Sequence, residues 1–205
     1  MNQTIYLIRH GETEWNVEGR FQGRTHSDLT EKGRAQAADV GAILLAELGD
    51  GGGFDFQVSP QRRTRDTARI ALSALDIEPR PNDKLMELDV GEWSGLLFED
   101  VLATHPELVS KAKGHEWIYE APGGERLHDM RARAESWLAE VSGPTVAIGH
   151  GAIGRQIRGA YLGIPALESL RLPETQGGVL LLKDGEERLI TREGLGASAS
   201  QQRAV

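Results

Sequence analysis

The 205-residue sequence contains no cysteine. Disulfides, thiol nucleophiles and thiolate metal sites are therefore excluded. No apolar run approaches the roughly 20 residues that span a bilayer as a helix. The chain enters an apolar stretch almost at once, without the charged-then-apolar layout of a secretory leader. A soluble, cytoplasmic protein is expected. Positive charge is in deficit too: 23 Lys and Arg face 31 Asp and Glu, a formal net charge of −8. That balance offers little to nucleic acid or to an anionic membrane, so neither is an expected partner. The sequence has no internal repeat, no linker-like break and no cluster of carboxylates or Cys/His pairs at metal-ligand spacing.

What is present is an ordinary globular composition, 39% hydrophobic and 26% charged, in a chain long enough for one large domain. Residues 5–8 form an apolar run of strand length that stops abruptly at Arg9-His10-Gly11. Thr13 to Glu18 reads as a short helix, and Thr30 as the cap of a longer one running to Leu48. Residues 54–58 predict a second strand, ended by Ser59-Pro60, and residues 61–75 a helix with Arg62 and Arg63 in its first turn. Residues 98–117 read as short helices broken at Pro106 and Gly114. Pro122-Gly123-Gly124-Glu125 starts an amphipathic helix with Leu127, Met130, Ala134, Trp137, Leu138 and Val141 inward. Residues 145–148 predict a third buried strand, ending at Gly149-His150-Gly151, and residues 152–162 a helix. Residues 179–182 and 188–191 form a hairpin across Asp184-Gly185. Strand–helix alternation implies a mostly parallel sheet covered on both faces. From Gly194 the end, rich in Ala, Ser and Gln, reads as a disordered tail, so the domain is placed at residues 1–193.

Three predicted strands thus end in polar turns carrying His10, Arg63 and His150. A parallel sheet brings such ends to one edge, where ligands collect. A neutral imidazole there can attack phosphorus if cations offset the charge building on the phosphoryl oxygens. Arg9 and Arg63 supply planar forks that bind phosphate bidentately. His150 would donate to the same oxygens. A carboxyl group such as Glu87 could protonate the leaving oxygen and later deprotonate water. This chemistry requires neither metal nor cofactor.

The arrangement resembles the histidine phosphatase superfamily, the phosphoglycerate-mutase-like proteins. Five blocks match in order: Arg9-His10-Gly11-Glu12-Thr13 with Asn16; Gln22-Gly23; Ser59-Pro60 with Arg63 and Thr67-Ala68; Glu87 with Gly91, Trp93 and Gly95; and His150-Gly151. Pro122 to Glu125, with Asp129 and Arg133, resembles the family's PGGE segment. The resemblance implies a three-layer α/β/α sandwich, mostly parallel with one antiparallel edge strand. It implies His10 as phosphorylated nucleophile, Arg9, Arg63 and His150 as phosphate pocket, and Glu87 as proton donor. Asn16, Gln22, Gly23 and Gly151 would line the phosphate or substrate side. The spacing Ser-Pro-x-x-Arg selects Arg63 and leaves Arg62 at the rim.

The chain also departs from the family pattern. His26 and Asp28 replace a common Asp and Pro in a positioning turn, and Gln61 stands where leucine is common after Ser-Pro. Mutases of this family typically read Glu-Arg-His-Tyr-Gly, whereas this chain reads Glu87-Leu88-Asp89-Val90-Gly91, so Val90 supplies no phenol. Lys111, Lys113 and His115 read as a solvated helix face, and His26, His105 and His128 as surface residues. Trp117 and Tyr119 read as packing residues, with a role in a lid as the alternative. The leading expectation is a metal-independent phosphomonoesterase acting on a small phosphorylated metabolite. A cofactor-dependent phosphoglycerate mutase is the first alternative, and a protein phosphohistidine phosphatase or a non-catalytic phosphoryl-binding regulator the second. The resemblance allows a homodimer, though no residue specifies one.

Overall fold

A strand buried on both faces must send alternate side chains into two cores, and the first strand does so. In the computed structural model, which describes residues 3–111 and 116–195, β1 (Ile5–Arg9) directs Ile5 and Leu7 into one core and Tyr6 and Ile8 into the other. Five further strands complete the sheet: β2 (Asp55–Val58), β3 (Arg80–Pro81), β4 (Thr145–Gly149), β5 (Val179–Lys183) and β6 (Glu186–Ile190). Their spatial order is β3-β2-β4-β1-β5-β6. β1, β4, β2 and β3 are parallel, with Ile8 opposite Ile148 and Val58 opposite the same residue. β5 runs antiparallel to β1, and β6 returns beside it as the outer strand. This is the mostly parallel α/β/α sandwich that the sequence implies.

One core lies under α6 (Leu127–Glu140) and α7 (Gly151–Leu162), where Met130, Ala134, Trp137, Ile153 and Ile157 meet Ile5 and Ala147. The other lies under α2 (Glu31–Leu48) and α3 (Arg62–Ala71), where Val40, Ile43, Leu44, Ala68 and Ala71 meet Ile8 and Ile148. The remaining helices are short: α1 (Glu14–Glu18), α4 (Phe98–Thr104), α5 (Pro106–Lys111) and α8 (Ala166–Ser169). No helix among the described residues is long and apolar enough to cross a membrane.

Several boundaries differ from expectation for local reasons. α3 stops at Ala71 rather than residue 75, where Ser73 turns its hydroxyl back to the Ile70 carbonyl and Asp76 adopts a positive φ of 52°. Pro122 to Glu125 is a turn, with Gly123 at φ 70° and the Gly124 N–H bonded to the Ala121 carbonyl, so α6 begins only at Leu127. β3 and α8 carry no periodicity and escape sequence reading. Trp117 and Tyr119 are packing residues: both are buried in the first core, and the Trp117 ring meets Phe21, Trp93 and Phe98. His105 is not a plain surface residue, since its ring lies 5.9 Å from that of Trp93. Lys111 ends α5, whereas Lys113 and His115 lie outside the described residues, as do tail residues 196–205. Leu195, assigned to that tail, packs against the second core.

The loop after β1 is seated on α2 by a glycine contact. A Cβ on Gly33 would stand 2.0 Å from the Glu12 carbonyl oxygen, and one on Gly11 would stand 2.2 Å from that of Gly33. Helix propensity alone favours Gly33→Ala by about 1 kcal/mol. Overpacking reverses the sign: we expect a net loss of about 1–3 kcal/mol, read by urea unfolding. An unchanged or raised stability would contradict the contact.

Candidate active site

His10 is placed by continuing the sheet register: its N–H donates to the Gly149 carbonyl at 3.0 Å, just past the end of β1. The imidazole is 2% exposed. Nδ1 lies 2.7 Å from the Gly11 carbonyl oxygen, an acceptor only, so Nδ1 carries the proton and Nε2 the lone pair. That lone pair faces Arg63, whose Nε donates to it at 3.2 Å. Burial, then the Arg63 and Arg9 charges, hold the His10 pKa well below the usual histidine value. The ring is neutral, with Nδ1 tied back to the Gly11 carbonyl and the Nε2 lone pair turned to Arg63.

Arg63 stands in the first turn of α3 and is 1% exposed. Its Nη1 and Nη2 donate to the carbonyls of Thr25 (2.9 Å) and Gly23 (2.8 Å). Burial lowers its pKa to about 10, against the opposing pull of Glu87, so it stays charged at neutral pH. Gly23 has φ 50°, and a Cβ there would stand 2.6 Å from a Val90 methyl group. Both the turn and the close approach need glycine.

His150 ends β4 and caps α7. Its Nε2 lies 2.8 Å from the Ser59 hydroxyl, and its ring sits 5.2 Å from the His10 ring, edge to face. Among the described residues its buried Nδ1 has no partner. Burial, then Arg63 and His10, push its pKa well below the histidine norm as well.

Glu87 approaches from the loop after β3. Its carboxylate accepts the N–H groups of Ala152 (3.1 Å) and Ile153 (3.2 Å) at the start of α7, where the helix dipole favours negative charge. Two side chains fix that loop. Arg133 pairs with Glu125 at 2.9 and 2.8 Å and donates to the Lys84 and Met86 carbonyls. Gln61 accepts the Glu87 N–H at 2.7 Å and donates to the Gly23 carbonyl at 3.0 Å. The Gln61 departure is thus a polar brace that a leucine could not provide.

Arg9, His10, Asn16, Gln22, Gly23, Arg63 and Glu87 line one cleft of about 600 Å³, with Arg20, Phe21, Leu88, Val90, Ile118, Ala152, Arg155 and Glu174. His150 and Gly151 line a smaller cavity next to it, shared with Arg9, Arg155 and Glu174. Gln22 donates to Thr13 Oγ1 at 2.7 Å, and Thr13 caps α1 together with Asn16. Arg62 is on the rim, paired with Asp28 and Asp66. His26 bonds Asp28 at 3.1 Å, and the His128 side chain is 81% exposed. Sequence reading missed Glu174 and Gln176, which come from the loop before β5. Gln176 donates to the His10 carbonyl at 3.1 Å, and Glu174 binds Arg9 and Arg155. Neither residue sits in a periodic segment, so no sequence signal marked them.

Two buried neutral imidazoles give stability a pH signature. Above about pH 6.5 neither folded nor unfolded chain protonates them. Below it the unfolded chain takes up protons that the fold refuses, so stability falls as pH falls. With both histidines the slope approaches about 2.7 kcal/mol per pH unit. Urea unfolding between pH 7 and 5 should show this slope, and His10→Asn should remove about half of it. A flat profile would contradict the buried, neutral assignment.

The model of the histidine phosphatase superfamily (branch 1) matches residues 5–192. Phosphoserine phosphatase 1 of Hydrogenobacter thermophilus is 36% identical over 137 residues, 67% of this chain but only 63% of that protein, less than two thirds of its length. An acid phosphatase of Mycobacterium tuberculosis is 30% identical over 199 residues, 92% of this chain and 91% of its own. A 2,3-bisphosphoglycerate-dependent phosphoglycerate mutase of Methylobacterium radiotolerans is 30% identical over 184 residues, covering 86% and 85%. The structure of a mycobacterial glucosyl-3-phosphoglycerate phosphatase with VO3 has a TM-score of 0.76 at 27% identity, covering 92% of this chain and 97% of that one. The match at residues 5–192 takes in all five sequence blocks and all six strands, and the chain belongs to branch 1 of the histidine phosphatase superfamily.

Proposed function

We propose that the protein is a metal-independent phosphomonoesterase that hydrolyses a small phosphorylated metabolite through a phosphohistidine on His10. The observation that carries this reading is the His10 ring itself, with Nδ1–H tied to Gly11 and the Nε2 lone pair held against the buried Arg63 charge. In the first step Nε2 attacks phosphorus and the ester P–O bond breaks. Glu87, protonated, gives its proton to the leaving alkoxide. Arg63 transfers its Nε–H from Nε2 to a phosphoryl oxygen, while Arg9 and His150 Nδ1–H hold others. His150 can donate there because its Nε2 is free to accept from Ser59. In the second step the Glu87 carboxylate takes a proton from water, the water oxygen bonds to phosphorus, and the P–N bond to His10 breaks. Phosphate leaves and Glu87 is protonated again.

The phosphatase names of two near relatives and of a structural neighbour support hydrolysis of small phosphate esters. The mutase-named relative favours a second reading, return of the phosphoryl group to the substrate. Val90 weighs against it: the residue is buried against Gly23 and offers no hydroxyl to the cleft. A protein phosphohistidine phosphatase fits less well, because Phe21 and Ile118 wall the cleft.

We expect His10→Ala to abolish phosphate release from a panel of phosphometabolites, and excess EDTA to leave the wild-type rate unchanged. Residual turnover in that variant, or a loss on chelation, would overturn the respective part. Glu87→Gln should slow hydrolysis of an alkyl phosphate about 10²–10⁴-fold. With p-nitrophenyl phosphate, whose leaving group needs no proton, the same variant should give a stoichiometric burst of nitrophenol before slow turnover. Equal slowing of burst and turnover would contradict the role of Glu87.

A further inference from the structure

The phosphate end of the cleft already holds an anion. The Glu174 carboxylate binds Arg9 Nη1 with one oxygen and Arg155 Nη2, at 2.7 Å, with the other. It also lies against the start of α7: a Cβ on Gly151 would stand 2.6 Å from Glu174 Oε1, so a larger residue there would make the carboxylate shift. Two cations and a helix N-terminus are the partners a phosphoryl group would seek. Arg9 is only half engaged, because its buried Nε has no partner among the described residues. Glu174 belongs to a loop, lies on the wall of the open cleft, and backs onto the smaller cavity beside His150.

We propose that Glu174 is a resident competitor of the phosphoryl group: the incoming dianion displaces its carboxylate from Arg9, and the carboxylate returns as phosphate leaves. The inference rests on the phosphatase reading of the site. Its physical content is a deliberate weakening of affinity. An empty pocket with Arg9, Arg63 and Arg155 unopposed would bind inorganic phosphate tightly and release product slowly. An internal carboxylate keeps the arginines in place between turnovers and lowers the net charge that the product must leave. A purely structural Glu174, one that holds Arg9 in its binding pose, would act with the opposite sign on phosphate affinity.

Calorimetric titration of the full chain with inorganic phosphate separates the two. Glu174→Gln keeps the shape and removes the charge, and we expect it to bind phosphate at least about tenfold more tightly than the wild type. Glu174→Ala should move affinity in the same direction, and thermal unfolding of both variants checks that they fold. Unchanged or weaker binding in the folded variants would overturn the competitor role and leave the phosphatase reading standing. A wild-type chain that binds no phosphate, with both variants equally silent, would instead overturn the phosphate pocket itself, and the competitor with it.

Discussion

A guanidinium closed off from water without a carboxylate paired to it is an expensive arrangement, and Arg63 is in that position. Among the described residues it makes no ion pair. Its fork is satisfied instead by two carbonyls and one imidazole nitrogen. Neutral acceptors meet its hydrogen-bonding needs, and the Glu87 carboxylate opposes its charge only from outside ion-pair distance. Burial first, and then the same charge, keep His10 neutral.

The rest of the site follows from where that fork must point. Gly23 has to turn its carbonyl inward, which requires a positive φ and a bare Cα against Val90. Gln61 then ties the same carbonyl to the Glu87 backbone, so cation, turn and carboxylate form one connected unit. Arg133 clamps the Glu87 loop from α6 on the other side, with Glu125 of the Pro-Gly-Gly-Glu turn as its partner. Glu87, Glu174 and His150 meet at the N-terminus of α7, where the backbone N–H groups of Ala152 and Ile153 donate to the Glu87 carboxylate.

Much of this was legible in the sequence because of how the strands end. β1 and β4 are largely apolar runs, and β2 alternates polar Asp55 and Gln57 with apolar Phe56 and Val58. All three are cut off by polar turns, and a parallel sheet has one edge at which such turns gather. His10, Arg63 and His150 were therefore readable as neighbours, and the five-block resemblance singled out Glu87, Asn16 and Gln22. Reading failed where geometry rather than pattern decides. Glu174 reaches Arg9 from 165 residues away on a loop with no periodicity. Gln61 is a departure from the family pattern that only its two hydrogen bonds explain. The helix pattern runs back to Pro122, but Gly123 and Gly124 form a turn and α6 begins at Leu127.

The proposed reaction transfers the phosphoryl group twice, first to His10 Nε2 and then to water. Two in-line displacements retain configuration at phosphorus, whereas one direct attack by water inverts it. The decisive measurement is the stereochemical course of hydrolysis, in ¹⁷O-labelled water, of a phosphorothioate monoester made chiral at phosphorus by ¹⁶O and ¹⁸O, read by ³¹P NMR of the released thiophosphate. The account predicts net retention. Inversion would mean that water attacks directly and that His10 is not the group that receives the phosphoryl.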